Sequence, residues 1–393
     1  MAKNFVYLLT LSTAAHTALA GGKLTTTLYA LHLHASEAAV GVLAAVFALF
    51  PMFFAVAAGR WIDRIGMQTP LLGGTCWMAF GCAVACCGGG TPGALYLAAG
   101  AMGSGFMVIH VATQNAVGTH SAPQHRTAHF SHLAVAYSMA GLLGPVVAGF
   151  AIGHADHRMS FALCLGLIGL AVGLAALAYQ REYRSPCPGG VPSAPSAQSR
   201  WRNGTAFSLL QHRGMRGIYG VGLLIGTAQE VFLFVLPLHS VRLGMSAPTV
   251  GLLLGGFAGG SLGVRFAMRW IAARGTAWGI LACAMALVAA CYGVLPFLQT
   301  PLGMLPVAVL LGVALGSCQP NVLALLHHHA PAGRTAEAVG LRASLGYASQ
   351  VALPLALGAS SASAGPFVVY WAMGAVAAVS LPALYRRARD GGA

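Results

Sequence analysis

The feature that most constrains this chain is a succession of long apolar segments separated by short polar ones. A helix that crosses the hydrocarbon core of a bilayer needs about 20 mostly apolar residues. We identify twelve segments of this kind, at 5–30, 38–58, 70–89, 93–117, 130–153, 159–180, 217–239, 248–268, 276–297, 302–326, 338–359 and 366–385. The sequence therefore predicts an all-α integral membrane protein of about twelve transmembrane helices.

The composition excludes a water-soluble fold and limits the kinds of partner that we expect for the chain. The chain is 57% hydrophobic and only 7% charged, whereas a soluble domain carries about 25% charged residues. Its formal net charge of +14 comes from basic residues between the apolar segments, and no nucleic-acid-binding signature accompanies them. We expect a lipid bilayer as the surroundings, a monomer, no nucleic-acid partner, and neither a cofactor nor a metal.

The distribution of Lys and Arg predicts the orientation of the helices. If both termini lie on one side of the membrane, 18 of the 21 Lys and Arg residues fall on that side. Arg158 and Arg242 fall on the opposite side, and Lys23 lies within the first span. Because cytoplasmic loops carry the excess of basic residues, we expect a multi-pass protein of the inner membrane with both termini in the cytoplasm.

The two halves of the chain repeat short patterns at nearly constant spacing. Residues 122–128 resemble residues 330–336, and the Arg-Trp-Ile sequence at 60–62 recurs at 269–271. Duplicated halves with a substrate site between them are common in secondary transporters. We therefore predict two pseudo-symmetric six-helix bundles joined by a Pro-, Ser- and Gly-rich cytoplasmic linker, with boundaries at 1–180, 181–216 and 217–393.

A signature follows the second span, and it reads Gly59-Arg60-Trp61-Ile62-Asp63-Arg64-Ile65-Gly66. It resembles the G-x-x-x-D-R-x-G motif of the major facilitator superfamily, which lies between spans two and three. The resemblance implies alternating access, with Asp63 near the N-terminal end of the eleventh helix, where a carboxylate gains about 0.3–1 kcal/mol. The implied conformational gate on the cytoplasmic side comprises Gly59, Asp63, Arg64 and Gly66.

The fifth span carries a second motif, in residues 140–149. It resembles the G-P-x-x-G-type motif of the proton-coupled efflux branch of the superfamily, and small residues of this kind let helices approach closely. The helix-packing residues would be Gly141, Gly144, Pro145 and Gly149. Efflux members often carry an arginine in the fourth helix, but residues 97–117 contain neither Lys nor Arg, so proton coupling does not follow from the resemblance alone.

Two charged side chains within the spans are candidates for function, because a charge at membrane depth costs about 2.5–3.5 kcal/mol. Lys23 lies in span one and Glu230 in span seven, and these spans are equivalent in the two halves. Glu230 could carry a proton or bind a cationic group, and Lys23 could bind an anion. The alternatives are a structural pair between the two charges and a Lys23 side chain that extends towards the outer surface.

Further polar residues could line a central cavity. Each is also suited to holding helices together by hydrogen bonds. The predicted cavity set is Glu230, Lys23, His16, His110, Gln114, Asn115, Gln229, Gln319, Asn321 and Tyr347. His16 and His110 could in addition titrate near neutral pH and relay protons.

The function predicted from these features is secondary active transport, with protons as the coupling ion. The motif in span five favours export of a drug, siderophore or metabolite, whereas Lys23 favours uptake of a small organic anion. An intramembrane enzyme with paired carboxylates is excluded, because Glu230 is the one acid predicted at membrane depth. A sensor would need a soluble domain, and no polar stretch here is long enough for one.

Overall fold

The computed structural model describes residues 2–88, 91–120, 123–181, 213–329 and 335–390. At some positions within these ranges, including Asp63 and Arg64, the side chain is not described. Every described element is helical, which confirms the predicted all-α class. The helices are α1 (Ala2–His32), α2 (Glu37–Ile65), α3 (Gln68–Cys87), α4 (Pro92–His120), α5 (Pro123–His154), α6 (His157–Arg181), α7 (Arg213–Arg242), α8 (Ala247–Ala272), α9 (Ala277–Val294), the short 3₁₀ turn Leu295–Phe297, α10 (Pro301–His329) and α11 (Thr335–Asp390).

Ten segments of the described helices are long and apolar enough to cross a membrane. They correspond to predicted spans two to ten and to span twelve. The other two predicted spans, α1 and the first part of α11, are helical but are not among these ten, and both contribute polar side chains to the interior. The predicted linker falls mostly on residues 182–212, which lie outside the described part of the chain.

Helix α11 crosses the bundle twice, as the predicted spans eleven and twelve require. A straight helix of 56 residues would be about 84 Å long. One crossing of the hydrocarbon core needs only about 30 Å, so the chain reverses direction within α11. We call the end of the bundle that carries the α2–α3 connection the inner end, and the opposite end the outer end. Ala338 contacts Tyr219 at the inner end, Gly358 packs on Glu37 at the outer end, and Arg387 returns to Gly217 at the inner end.

Helix ends are set by local hydrogen bonds. The Ser36 hydroxyl accepts a hydrogen bond from the Ala39 N–H at 3.2 Å and begins α2, and the carboxylate of Asp156 accepts one from the Met159 N–H at 2.7 Å and begins α6. Gly66 ends α2 with φ of 83°, a conformation that favours glycine. These contacts fix where α2 begins and ends and where α6 begins.

The helices pack as two bundles of similar design. In the first half, α1 packs on α4, α5 and α6, and α3 packs on α4 and α6. In the second half, α8 and α9 pack on α10, and α11 packs on α7 and α9. The two halves meet through α5 against α8 and through α2 against α11. The two pairs are equivalent in the repeat, because α2 corresponds to α8 and α5 corresponds to the first part of α11.

Glycines allow close approach where the halves meet. A Cβ atom added to Gly41 of α2 would lie 2.2 Å from the Pro354 carbonyl oxygen of α11. At Gly149 of α5, an added Cβ would lie 2.5 Å from the Ala247 carbonyl oxygen of α8. Any larger residue would push the backbones apart, so glycine is what permits both contacts.

An ion pair crosses the same interface at the outer end. The Arg242 guanidinium, at the end of α7, donates hydrogen bonds from Nε and Nη2 to Oε1 of Glu37, at the start of α2. The Glu37 side chain is 17% exposed and that of Arg242 is 41% exposed. The outer end is therefore closed by glycine contacts and by a partly exposed ion pair.

Candidate functional site

A cavity of about 470 Å³ lies between the two halves. Helices α1, α2, α4 and α5 form its wall on one side, and α7, α8 and α11 form it on the other. Cavities of about 300–1,000 Å³ are typical of small-molecule sites, especially at boundaries between structural repeats. Its size and position make this cavity the candidate substrate site.

Six of the ten predicted cavity residues line this wall. They come from α1, α4, α7 and α11, which are far apart in the sequence. They are His16, Lys23, His110, Gln229, Glu230 and Tyr347. The structure thus brings together both charged candidates and both histidine candidates in one cavity, but the roles predicted for them stay predictions.

The other four predicted residues do not line this cavity and contact neighbouring groups instead. Gln114 lies 2.8 Å from Nε2 of His110, one turn away on α4, and the Gln319 side-chain oxygen accepts a hydrogen bond from Arg342 at 3.2 Å. Asn321 donates to the Ser317 carbonyl oxygen at 2.8 Å. Asn115, on α4, also has an interaction partner. Gln319 thus links α10 to α11, whereas Gln114 and Asn321 bond within their own helices, so the use of these residues stays a prediction.

Lys23 and Glu230 face the same cavity without bonding to each other. The Lys23 ammonium lies 5.8 Å from the centroid of the Phe47 ring. Among the described residues, neither Lys23 nor Glu230 takes part in a hydrogen bond or an ion pair, although the two charges are close enough to interact electrostatically. A structural Lys23–Glu230 pair is therefore not formed in this conformation.

A cluster of rings forms the wall between α1, α4 and α5. The His16 ring lies 5.0 Å from that of Phe106 and 4.9 Å from that of Tyr137. Nδ1 of His110 lies 3.1 Å from the Tyr137 hydroxyl, so these two side chains share a hydrogen bond. Nδ1 of His16 is buried and has no hydrogen-bond partner within the described part of the molecule. The cluster supplies both apolar surface and hydrogen-bonding capacity.

Sequence reasoning missed one charged residue of the wall. Arg265, on α8, lines the cavity and donates a hydrogen bond from Nη1 to the Ala134 carbonyl oxygen of α5 at 3.0 Å. The orientation prediction counts Arg265 among the 18 basic residues on the cytoplasmic side, although it lies within the predicted span 248–268. Its position within an apolar span could have identified it from the sequence. Arg265 adds a second cation to the cavity.

The predicted gate residues lie at the inner end of α2. Gly59 is within the helix, and a Cβ added there would lie 3.9 Å from Val111 of α4. Gly66 ends the helix, as described above. The side chains of Asp63 and Arg64 lie outside the described part of the structure, so the predicted contact of Asp63 stays a prediction.

The motif in span five packs against two helices and lines the cavity. A Cβ added to Gly144 would lie 2.7 Å from the Thr17 carbonyl oxygen of α1, and Gly149 packs on α8. Gly141 and Pro145 line the cavity. The motif therefore brings α5 close to both halves at the edge of the cavity.

Comparison with known proteins agrees with this architecture. The family model described as Major Facilitator Superfamily matches residues 6–354 and 218–392. The chain therefore belongs to the major facilitator superfamily. It is a transporter that works by alternating access, and not an enzyme.

Two solved structures have the same fold. The nucleoside transporter NupG is similar with a TM-score of 0.72 and 14% identity over 96% of this chain and 98% of that chain. A POT family transporter in complex with 5-aminolevulinic acid is similar with a TM-score of 0.76 and 13% identity over 99% and 96%. No curated protein matches the sequence. At these identities the likeness extends to the fold alone.

Proposed function

We propose that this chain is a proton-coupled transporter of a small organic solute, with Glu230 as the proton-carrying residue. Glu230 is the acidic side chain in the described wall of the cavity, and this observation carries the proposal. A carboxyl group that faces a cavity can bind and release a proton as the cavity opens to one side and then to the other. The proton and the solute would then share one site.

Two observations bear on the direction of transport, and they favour opposite directions. The small-residue motif of α5 favours proton-coupled export of a drug, siderophore or metabolite. The charges of the cavity support a second candidate, proton-coupled uptake of a small organic anion, because Lys23 and Arg265 both line the cavity.

The remaining predictions complete this proposal. Asp63 and Arg64 would hold the inner end closed in the state in which the outer end opens. Each half, 1–180 and 217–393, would move as a unit around the cavity. The protein would act as a monomer in the inner membrane with both termini in the cytoplasm.

The test uses everted inner-membrane vesicles with an imposed proton gradient and a pH-sensitive dye. A panel of drugs, siderophores and small carboxylates is added to wild type and to Glu230→Gln. Proton release from the lumen on addition of a solute indicates exchange and hence export. Proton entry with the solute indicates co-transport and hence uptake.

We expect either response to disappear in Glu230→Gln. Asp156→Asn, which removes an acid at the outer end of the bundle, is the matched control and should respond like wild type. Equal responses from wild type and Glu230→Gln would refute the role of Glu230. Solute transport by wild type without any proton movement would refute proton coupling.

A further inference from the structure

The wall of the cavity carries more positive than negative charge. Lys23 and Arg265 contribute two cations, and Glu230 contributes the acid. The other titratable side chains that line the described wall are His16, His110, Tyr137 and Tyr347. None of these four can supply a second negative charge near neutral pH, so the ionised wall has a net positive charge.

Lys23 is available to a ligand. Its ammonium lies over the Phe47 ring, and among the described residues no carboxylate or other oxygen accepts a hydrogen bond from it. An ammonium has three donors, and all three can be directed into the cavity. Arg265 is less available, because one of its nitrogens already donates to Ala134.

Glu230 is the nearest counter-charge to Lys23 in the wall. The two side chains come from opposite halves and interact through space, but they are not bonded. A charge inside a poorly solvated cavity needs a compensating charge close by, because Coulomb interactions are stronger there than in water. When a proton neutralises Glu230, Lys23 loses its counter-charge.

We propose that the cavity binds an organic anion together with one proton: the anion pairs with Lys23 while the proton neutralises Glu230. The net charge of the occupied cavity then equals that of the empty one, because one negative charge replaces another. This inference rests on the proposed proton-coupled transport and selects the second of its two directions, since an inward proton gradient would draw the anion in.

Other solutes fit these charges less well. A cation would compete with the proton for Glu230 and would be repelled by Lys23 and Arg265. A neutral solute would leave Lys23 without a counter-charge whenever Glu230 is protonated. Binding of an anion and binding of a proton, in contrast, favour each other.

The rest of the wall indicates what the body of the anion is like. Most of the cavity is lined by apolar and aromatic side chains, including Phe106, Phe234, Phe257 and Tyr347. Aromatic faces pack well against flat rings. The preferred solute is therefore a carboxylate with a ring-bearing body.

The test uses the purified full-length protein in lipid nanodiscs. The probes are indole-3-acetate and benzoate, and their amides, indole-3-acetamide and benzamide, are uncharged controls of nearly the same shape. Binding is measured by calorimetry at several pH values. Proton uptake is measured with a pH dye in weakly buffered solution.

For the wild type we expect that at least one carboxylate binds and that its amide does not. One proton should be taken up per carboxylate bound, and affinity should fall as the pH rises. Lys23→Gln should lose carboxylate binding, and Lys23→Arg should restore part of it. Glu230→Gln should bind the carboxylate without proton uptake and independently of pH, whereas Asp156→Asn should behave like wild type.

Three results would overturn the inference. Equal binding of carboxylates and amides would show that the anion is not recognised. Release of protons on binding would show competition instead of joint binding. Binding of neither carboxylate, by a protein that moves protons with neutral or cationic solutes in everted vesicles, would exclude the anion. In that last case proton-coupled transport would stand, so the two proposals fail separately.

Discussion

Two pairs of opposite charges lie where the halves of this molecule meet, and only one of the pairs is bonded. At the outer end, Glu37 and Arg242 are bonded to each other. In the cavity, Lys23 and Glu230 face the same space but are not bonded. The bonded pair holds one conformation of the transporter together. In the proposed mechanism the unbonded charges bind a solute and a proton, which a structural pair could not do.

The energies involved support this division. A partly exposed ion pair contributes about 0–1 kcal/mol, enough to bias the position of the halves without locking them. Charges facing a poorly solvated cavity interact more strongly, so their neutralisation has larger consequences. The proposed transport cycle uses both, because the outer pair would break in each cycle while the cavity binds the solute and the proton.

The largest effect is expected when the two charges of each pair are exchanged. Lys23→Glu with Glu230→Lys should lower transport at least about 100-fold, because charges misplaced in a buried site cost about 2–5 kcal/mol. Glu37→Arg with Arg242→Glu should stay within about fivefold of wild type, because a surface pair can re-form in reverse. Transport into proteoliposomes measures both. Equal losses from the two inversions would contradict the division.

The next largest effect is expected from the glycine contacts at the outer end. Gly149→Leu would place its Cβ 2.5 Å from the Ala247 carbonyl oxygen. Overpacking of this kind costs about 1–3 kcal/mol, so we expect transport to fall about tenfold. Thr27 lies near the outer end of α1 and lines the cavity. In a background in which the nine native cysteines are replaced by serine or alanine, labelling of Thr27→Cys by an impermeant reagent from the outer side should increase.

Gly166→Leu is the matched control for this substitution. Gly166 lies on α6, where an added Cβ has no atom of the described structure within 4 Å. It should leave both transport and labelling near the wild-type level. If both leucine variants transport normally, close approach of α5 and α8 is not needed for the cycle.

A smaller effect is expected when the outer ion pair is removed. Glu37→Gln should shift the conformational equilibrium towards an open outer end by about fivefold or less. Arg242→Gln should do the same, and the double variant should show no further shift from the loss of this pair, because both substitutions break the same ion pair. The same cysteine labelling measures all three. Fully additive shifts would mean that the two residues act independently.

The smallest effect is expected at His110. Its Nδ1 shares a hydrogen bond with the Tyr137 hydroxyl, and a glutamine can keep both a donor and an acceptor. His110→Gln should therefore change the transport rate by about twofold or less and leave its pH profile unchanged. A displaced pH profile would instead identify His110 as a proton relay.

The sequence predicted much of the fold, for reasons that particular segments make clear. The lengths of the apolar segments located ten spans, because a segment that crosses a bilayer must satisfy its backbone hydrogen bonds within a helix or a closed barrel. The charged residues Lys23 and Glu230 were found because charge within an apolar segment is rare. Gln114 and Asn321 could not be assigned in the same way, because an amide on a helix can face a cavity, contact a neighbouring helix or, as both do here, bond within its own helix.

What the sequence determined by itself is the kind of molecule: a helical membrane protein with duplicated halves, a signature loop and two charges at membrane depth. These follow from local composition and spacing, which the bilayer constrains directly. The tertiary structure decided which charges are bonded, because pairing depends on distances between helices that are far apart in the chain. It alone joined Glu37 to Arg242, placed Arg265 in the cavity, and left Lys23 and Glu230 without a bond between them.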